Sequence, residues 1–159
     1  MRKVSLFLHT FMVALMAFTG TWMMSNCARH EGSESQLKED VDSFATYYYN
    51  WHFEKASKYC TPESEPWLKY AASNVHDADI DLLKQKDEDA TISIEDVDFQ
   101  DDTLAIVKVN VKNFLQMDTI GKAARPVADA TFHLSMVIHE DKWKVRMEGL
   151  PQSERQNHD

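Results

Sequence analysis

Near Ala90 the apolar residues change their spacing, and that change constrains the fold more than any other feature of the chain. Before it they recur every three or four positions, the period of one helix face; after it they recur every second position, the period of a strand. Leu37, Val41, Phe44, Tyr48 and Trp51 make one amphipathic stripe. Ser33 precedes Gln36 at the spacing of a capping pair, which predicts a helix start there, and Asn50 is where the helix should break. The stretch YYYNWHFEKASKYCTPE, residues 47–63, carries Phe53, Ala56, Ser57 and Cys60 at the spacing of a short second helix with Cys60 on its buried face. Thr61-Pro62 and Glu65-Pro66 are both helix entries, because a proline in the first turn gives up an N–H that has no partner there. A third helix carrying Trp67, Leu68, Ala71, Ala72 and Val75 is expected from one of them.

Beyond Ala90, Ile92 and Ile94 share one parity while Val97 and Phe99 share the other, so a bulge or bend is expected at Glu95-Asp96. After a turn at Asp101-Asp102, Ala105, Val107, Val109 and Val111 alternate with Lys108, Asn110 and Lys112 in a strand over residues 103–114. A loop over 119–126 leads to a strand over 127–139 with Phe132, Leu134, Met136 and Ile138 on one face. Glu140-Asp141 turns the chain into residues 142–148, where Trp143, Val145 and Met147 face the core. Strands apolar on one face only belong to an antiparallel sheet covered on one side. Helices followed by such a meander imply an α+β domain with the N-terminal helices packed on the sheet. Residues 150–159 are polar and read as a frayed C-terminal tail.

Residues 1–26 do not belong to that domain. Arg2 and Lys3 precede an almost wholly apolar run over 4–18, the pattern of a secretory signal. Met24, Ser25 and Asn26 before Cys27 resemble the lipobox of bacterial lipoproteins, in the looser form of the Bacteroidetes type. The resemblance implies cleavage before Cys27 and palmitate-type acylation of it, with residues 27–33 as a lipidated tether and residues 34–149 as the domain. Ala28 is not the aspartate that retains lipoproteins in the inner membrane, so the resemblance also implies outer-membrane attachment. An uncleaved anchor stays open, since residues 4–24 reach the ~20 needed to span a bilayer. Ordinary signal cleavage is disfavoured for want of an A-x-A site. All three readings export the domain.

Loss of the signal removes Arg2 and Lys3 and leaves 15 basic residues against 26 acidic ones, a formal charge of −11. A surface of that sign repels nucleic acid, and no such partner is expected. With Cys27 acylated, Cys60 is the remaining thiol, so no intramolecular disulfide can form and the core must carry the fold.

Three constellations bear on chemistry. Cys60 with His52 suggests a nucleophile and base, but a reactive cysteine needs an accessible, electropositive setting and Cys60 sits on an apolar stripe. A buried structural thiol is the reading preferred. Asp77, Asp79 and Asp81, with Glu88 beyond, have the spacing of a calcium loop; Leu82 stands where that loop needs its turn-forming glycine, so a solvated acidic loop or short helix is expected and no metal. Asp129, Thr131, His133, Ser135 and His139 share the polar parity of their strand and should lie on the outer sheet face.

The aromatic first helix, the segment after it and the closing MVIHEDKWKV hairpin resemble the nuclear transport factor 2-like superfamily, among small exported lipoproteins of unknown function. In that superfamily the first helix runs into Asn, Gly, Asp and an aromatic residue, followed by Ala and a Ser/Thr-Pro-Glu end. Asn50, Phe53, Ala56, Tyr59, Thr61, Pro62 and Glu63 stand at matching places, while Trp51 and His52 replace the glycine and aspartate. The resemblance implies a strongly bent, cone-shaped sheet with a cavity at its mouth, and dimerisation through the outer sheet face. Phe44, Tyr47, Tyr48 and Trp51 are the candidate ligand-pocket residues, suited to a small apolar ligand or a protein partner held without cofactor or catalytic group. The alternative is an isomerase or hydrolase of the ketosteroid isomerase-like or SnoaL-like type, which would need a base and oxyanion donors converging in the cone.

Overall fold

The computed structural model describes residues 32–117 and 123–154. The expected signal segment and Cys27 lie outside the described residues. Four helices come first: α1 (Glu34–Tyr49), α2 (Phe53–Ala56), α3 (Glu65–Ser73) and α4 (Asp77–Gln85), with 3-10 turns at Ser57–Tyr59 and Pro62–Ser64. Four strands follow: β1 (Thr91–Asp101), β2 (Leu104–Gln116), β3 (Arg125–His139) and β4 (Lys142–Arg146). They form one antiparallel sheet in the order β1-β2-β3-β4. This is the expected α+β arrangement.

α1 starts at the capping pair, where the Ser33 hydroxyl accepts from the Gln36 N–H at 3.2 Å. It buries Leu37, Val41, Phe44 and Tyr48, the stripe read from spacing, together with Ala45 and Tyr49. Asn50 ends the helix and also starts the sheet. Its side-chain oxygen accepts from the Ala90 N–H at 2.7 Å, and its side-chain nitrogen donates to the Ala90 carbonyl at 3.1 Å.

The inner sheet face is continuous: Ala105, Val107, Val109, Val111 and Met136 are fully buried, and Phe132, Leu134, Trp143 and Val145 nearly so. The register shifts between Ile94 and Asp96, at the expected bend. Glu140 and Asp141 both adopt left-handed backbone, the two-residue turn whose twist matches a hairpin. A flat sheet would hold β1 and β4, three strand steps apart, at roughly 14 Å. Instead the Phe99 and Trp143 rings meet at 6.0 Å across the concave face, and the Trp143 indole donates to the Gly32 carbonyl at 2.7 Å. The sheet is curled tightly at this end and filled.

Several expectations need correction. Cys60 is buried but lies past the helix, in extended backbone that bridges Val145 of β4 in parallel. The hydroxyl of Ser64, fully buried, accepts from the Met147 N–H at 2.8 Å and donates to the Val145 carbonyl at 3.3 Å. The chain between α2 and α3 is thus stitched to the sheet edge, which a helical reading of Cys60 misses. In α3 only Leu68 and Ala71 are buried; Trp67 and Ala72 are exposed, and Val75 lies beyond the helix end. Phe99, on the edge strand, is largely exposed as well.

Asp79 departs furthest from the solvated acid expected of it. It is fully buried in α4, with one carboxylate oxygen accepting from the His76 N–H at 2.8 Å and the other from the Ala124 N–H at 2.6 Å. One bond closes the helix N-terminus and the other anchors the entry to β3. Both oxygens point at backbone donors, so Asp79 does not converge with Asp77 and Asp81.

Candidate functional site

The opposite end of the cone is hollow. A cavity of about 340 Å³ opens where α1 runs out. Tyr48, Tyr49 and Trp51 from the end of α1, with Phe53 of α2, wall one side. Phe114, Leu115, Gln116 and Met117 at the end of β2, with Phe132 of β3, wall the other. Tyr70 and Asn74 of α3 and residues 150–152 of the C-terminal segment complete it. The Tyr49 ring is the keystone, 4.8 Å from Phe132 and 5.5 Å from Phe114.

Trp51 shows what holding this wall costs. Its backbone is left-handed, φ +62°, at the position where the superfamily motif carries glycine. A residue with a Cβ is strained there by roughly 1–2 kcal/mol. Its indole donates to the Leu115 carbonyl at 3.2 Å and so ties the helix end to the end of β2. Strain kept at a cavity wall is an observation from which a functional reading can begin.

Burial pushes the phenols of Tyr48 and Tyr49 well above the ordinary tyrosine value, so both stay protonated donors. The Tyr49 hydroxyl is buried and has no hydrogen-bond partner among the described residues. Buried polar groups are nearly always paired, so this one is an exception among the described residues. None of the described lining residues is Asp, Glu, His, Cys, Lys or Arg. The cavity can hold and orient a molecule by area and neutral hydrogen bonds.

Of the four pocket residues named from sequence, Tyr48 and Trp51 line the cavity. Phe44 is fully buried behind the wall, stacked on Tyr48 at 5.4 Å. Tyr47 packs elsewhere, stacked on Tyr59 at 6.0 Å with the Lys55 ammonium 5.6 Å from its ring. Helical phase explains the split, since Tyr47 is a full 100° from Tyr48 around the helix. Tyr49, Phe53, Phe114 and Phe132 were missed; the apolar run at Phe114-Leu115, where strand alternation fails after left-handed Asn113, was the available signal.

The Cys60–His52 pair is not a nucleophile and base. Burial pushes the Cys60 thiol up to about 12, against a smaller opposing pull from Lys144, while His52 is exposed beside Tyr47. Asp129 and His133 are exposed on the outer sheet face, as their parity predicts.

Residues 150–154, the described part of the segment expected to fray, run beside β3, and residues 155–159 lie outside the described residues. Ser153 bridges Phe132 beside β3, and the Glu154 N–H donates to the Thr131 carbonyl at 2.8 Å. The Glu154 carboxylate pairs with the His133 ring on the outer face and lies 3.7 Å from the Lys108 ammonium.

No protein-family model matches this chain, and no curated protein matches it in sequence. Among solved structures, it is similar to a ketosteroid isomerase-like protein from Erwinia carotovora atroseptica, at 10% identity and a TM-score of 0.50 over 70% of this chain and 90% of that one. It is also similar to an NTF-2 like protein of unknown function from Shewanella oneidensis, at 9% identity and a TM-score of 0.49 over 75% of this chain and 96% of that one. The architecture is α+β, helices followed by a curled antiparallel meander. Its fold is that of the ketosteroid isomerase-like protein.

Proposed function

We propose that this protein is an exported, lipid-anchored module of the cell envelope that binds a small apolar or amphipathic molecule in the cone without turning it over. One observation carries the binding half: an aromatic cavity whose described walls hold no charged group. Such a lining suits a ligand with an apolar body. The envelope half is supported by the basic start, the apolar run and the lipobox-like residues ending at Cys27.

The binding test is saturable uptake of the neutral dye N-phenyl-1-naphthylamine by the purified protein. Trp51→Ala or Tyr48→Ala should weaken it by roughly tenfold or more, as loss of a buried aromatic wall does, while His133→Ala leaves it intact. A small-molecule reaction accelerated by the protein and abolished by Asp129→Ala or His133→Ala would replace this reading with the enzymatic one. For the anchor, Cys27→Ser should leave an unprocessed precursor that takes up no labelled palmitate; normal processing of that variant would exclude lipidation.

A further inference from the structure

Residues 150–154, which follow β4 after Met147, Glu148 and Gly149, belong to both faces of the sheet. Leu150, Pro151 and Gln152 form part of the cavity wall. Ser153 and Glu154, next in the chain, line a polar groove on the outer face with Asn110, Asp129 and Thr131. Between the two sets the segment crosses the open edge of β3, which β4 covers only from Ser135 to His139. What holds it there is Leu150, packed partly buried against the core, the Ser153–Phe132 bridge, the Glu154 N–H to Thr131, and the Glu154 carboxylate on His133 and Lys108. By contrast β4 pairs with β3 over five consecutive residues and buries Trp143 and Val145. Segments with little buried apolar area and few ladder bonds open locally, well below the free energy of global unfolding.

We propose that residues 150–154 are a strap that gates the cavity: it swings off the β3 edge to admit ligand, and the Glu154 clasp on the outer face sets how often it does so. The proposal rests on the reading of the cavity as a binding site. Lys108 is the shared element of the clasp, because it also lies 3.5 Å from Glu95 on β1. Whatever draws Lys108 toward Glu95 loosens the strap. Whatever leaves it to Glu154 tightens it.

Stopped-flow mixing of the full protein with N-phenyl-1-naphthylamine tests this. Glu154→Gln keeps the shape of the clasp and removes its charge, and should raise both association and dissociation rates by roughly twofold to fivefold, the worth of an exposed ion pair. Glu95→Gln should leave the rates unchanged or slow them. In hydrogen exchange the Glu154 amide should open faster than the β4 amides and gain protection when dye is bound. Unchanged rates in Glu154→Gln, equal acceleration by Glu95→Gln, or exchange of Glu154 in step with β4 would each overturn the gate while leaving dye binding intact. A wild-type protein that binds no dye overturns the cavity reading and the gate together.

Discussion

The two ends of the cone share α1 and β3 and come out differently. At the narrow end Leu37 and Val41 of α1, Met136 of β3 and Trp143 of β4 are buried, and the Phe99 ring packs on Trp143 at 6.0 Å. At the wide end the same helix brings Tyr48, Tyr49 and Trp51 against Phe114 and Phe132, and about 340 Å³ stays open. The polar atoms differ in the same sense. The Trp143 indole and the Ser64 hydroxyl have partners within the chain, whereas the Tyr49 hydroxyl has none among the described residues and the Trp51 backbone is strained. Packing was completed at one end and forgone at the other, which is how a fold reserves room for something else.

If that contrast is right, truncation should hurt most at the filled end. Trp143→Ala removes a fully buried aromatic side chain and should cost ~3–5 kcal/mol in urea melts, enough to unfold a marginal domain. Tyr49→Phe at the wide end should be neutral or slightly stabilising, because it deletes a hydroxyl already unpaired. A large loss from Tyr49→Phe would mean the hydroxyl is satisfied within the protein and the hollow end is not hollow. Lys55→Ala, on the exposed face of α2, gives the baseline of near silence.

Next in size is the strain at Trp51. Glycine adopts φ +62° freely and alanine does not. Trp51→Gly should therefore be more stable than Trp51→Ala by about 1 kcal/mol, although both lose the indole and both should bind dye poorly. Equal stabilities would show that the left-handed backbone relaxes once the indole is gone.

How much of this was legible in sequence follows from range. The helical stripe, the cap at Ser33, the bend at Glu95-Asp96 and the parity of Phe132 to Met136 all depend on neighbours within a few residues, and all appear in the structure. Asp79 and Ser64 did not look like buried residues, because their partners Ala124 and Met147 lie far along the chain and are backbone groups with no sequence signature. Two residues of the cavity wall were visible for the same reason: Tyr48 and Trp51 lie on the predicted stripe, while Phe114 and Phe132 enter the wall only once the strands are curled. The C-terminal strap was unreadable, since its hold on β3 is made by backbone bonds and by Glu154, one acid among many in an acidic chain.

The smallest effect expected is at that strap, and it concerns protons. The Glu154 carboxyl is held below the ordinary glutamate value of 4.5, first by its hydrogen bond to His133 and then by the charge of Lys108. A carboxylate with a depressed folded pKa contributes above its unfolded value and loses that contribution as pH falls through the folded one. The clasp should therefore be intact at neutral pH and released only below 4.5. Because Glu154 is exposed, solvent screens the effect and global stability should barely register it. A carboxyl-carbon NMR titration should nevertheless place the Glu154 midpoint below 4.5, and His133→Ala should move it back toward that value. A midpoint at or above 4.5 in the native protein would remove the clasp from the account of the wide end. The Glu154 backbone bond to Thr131 would then be left as the strap's main tie to β3.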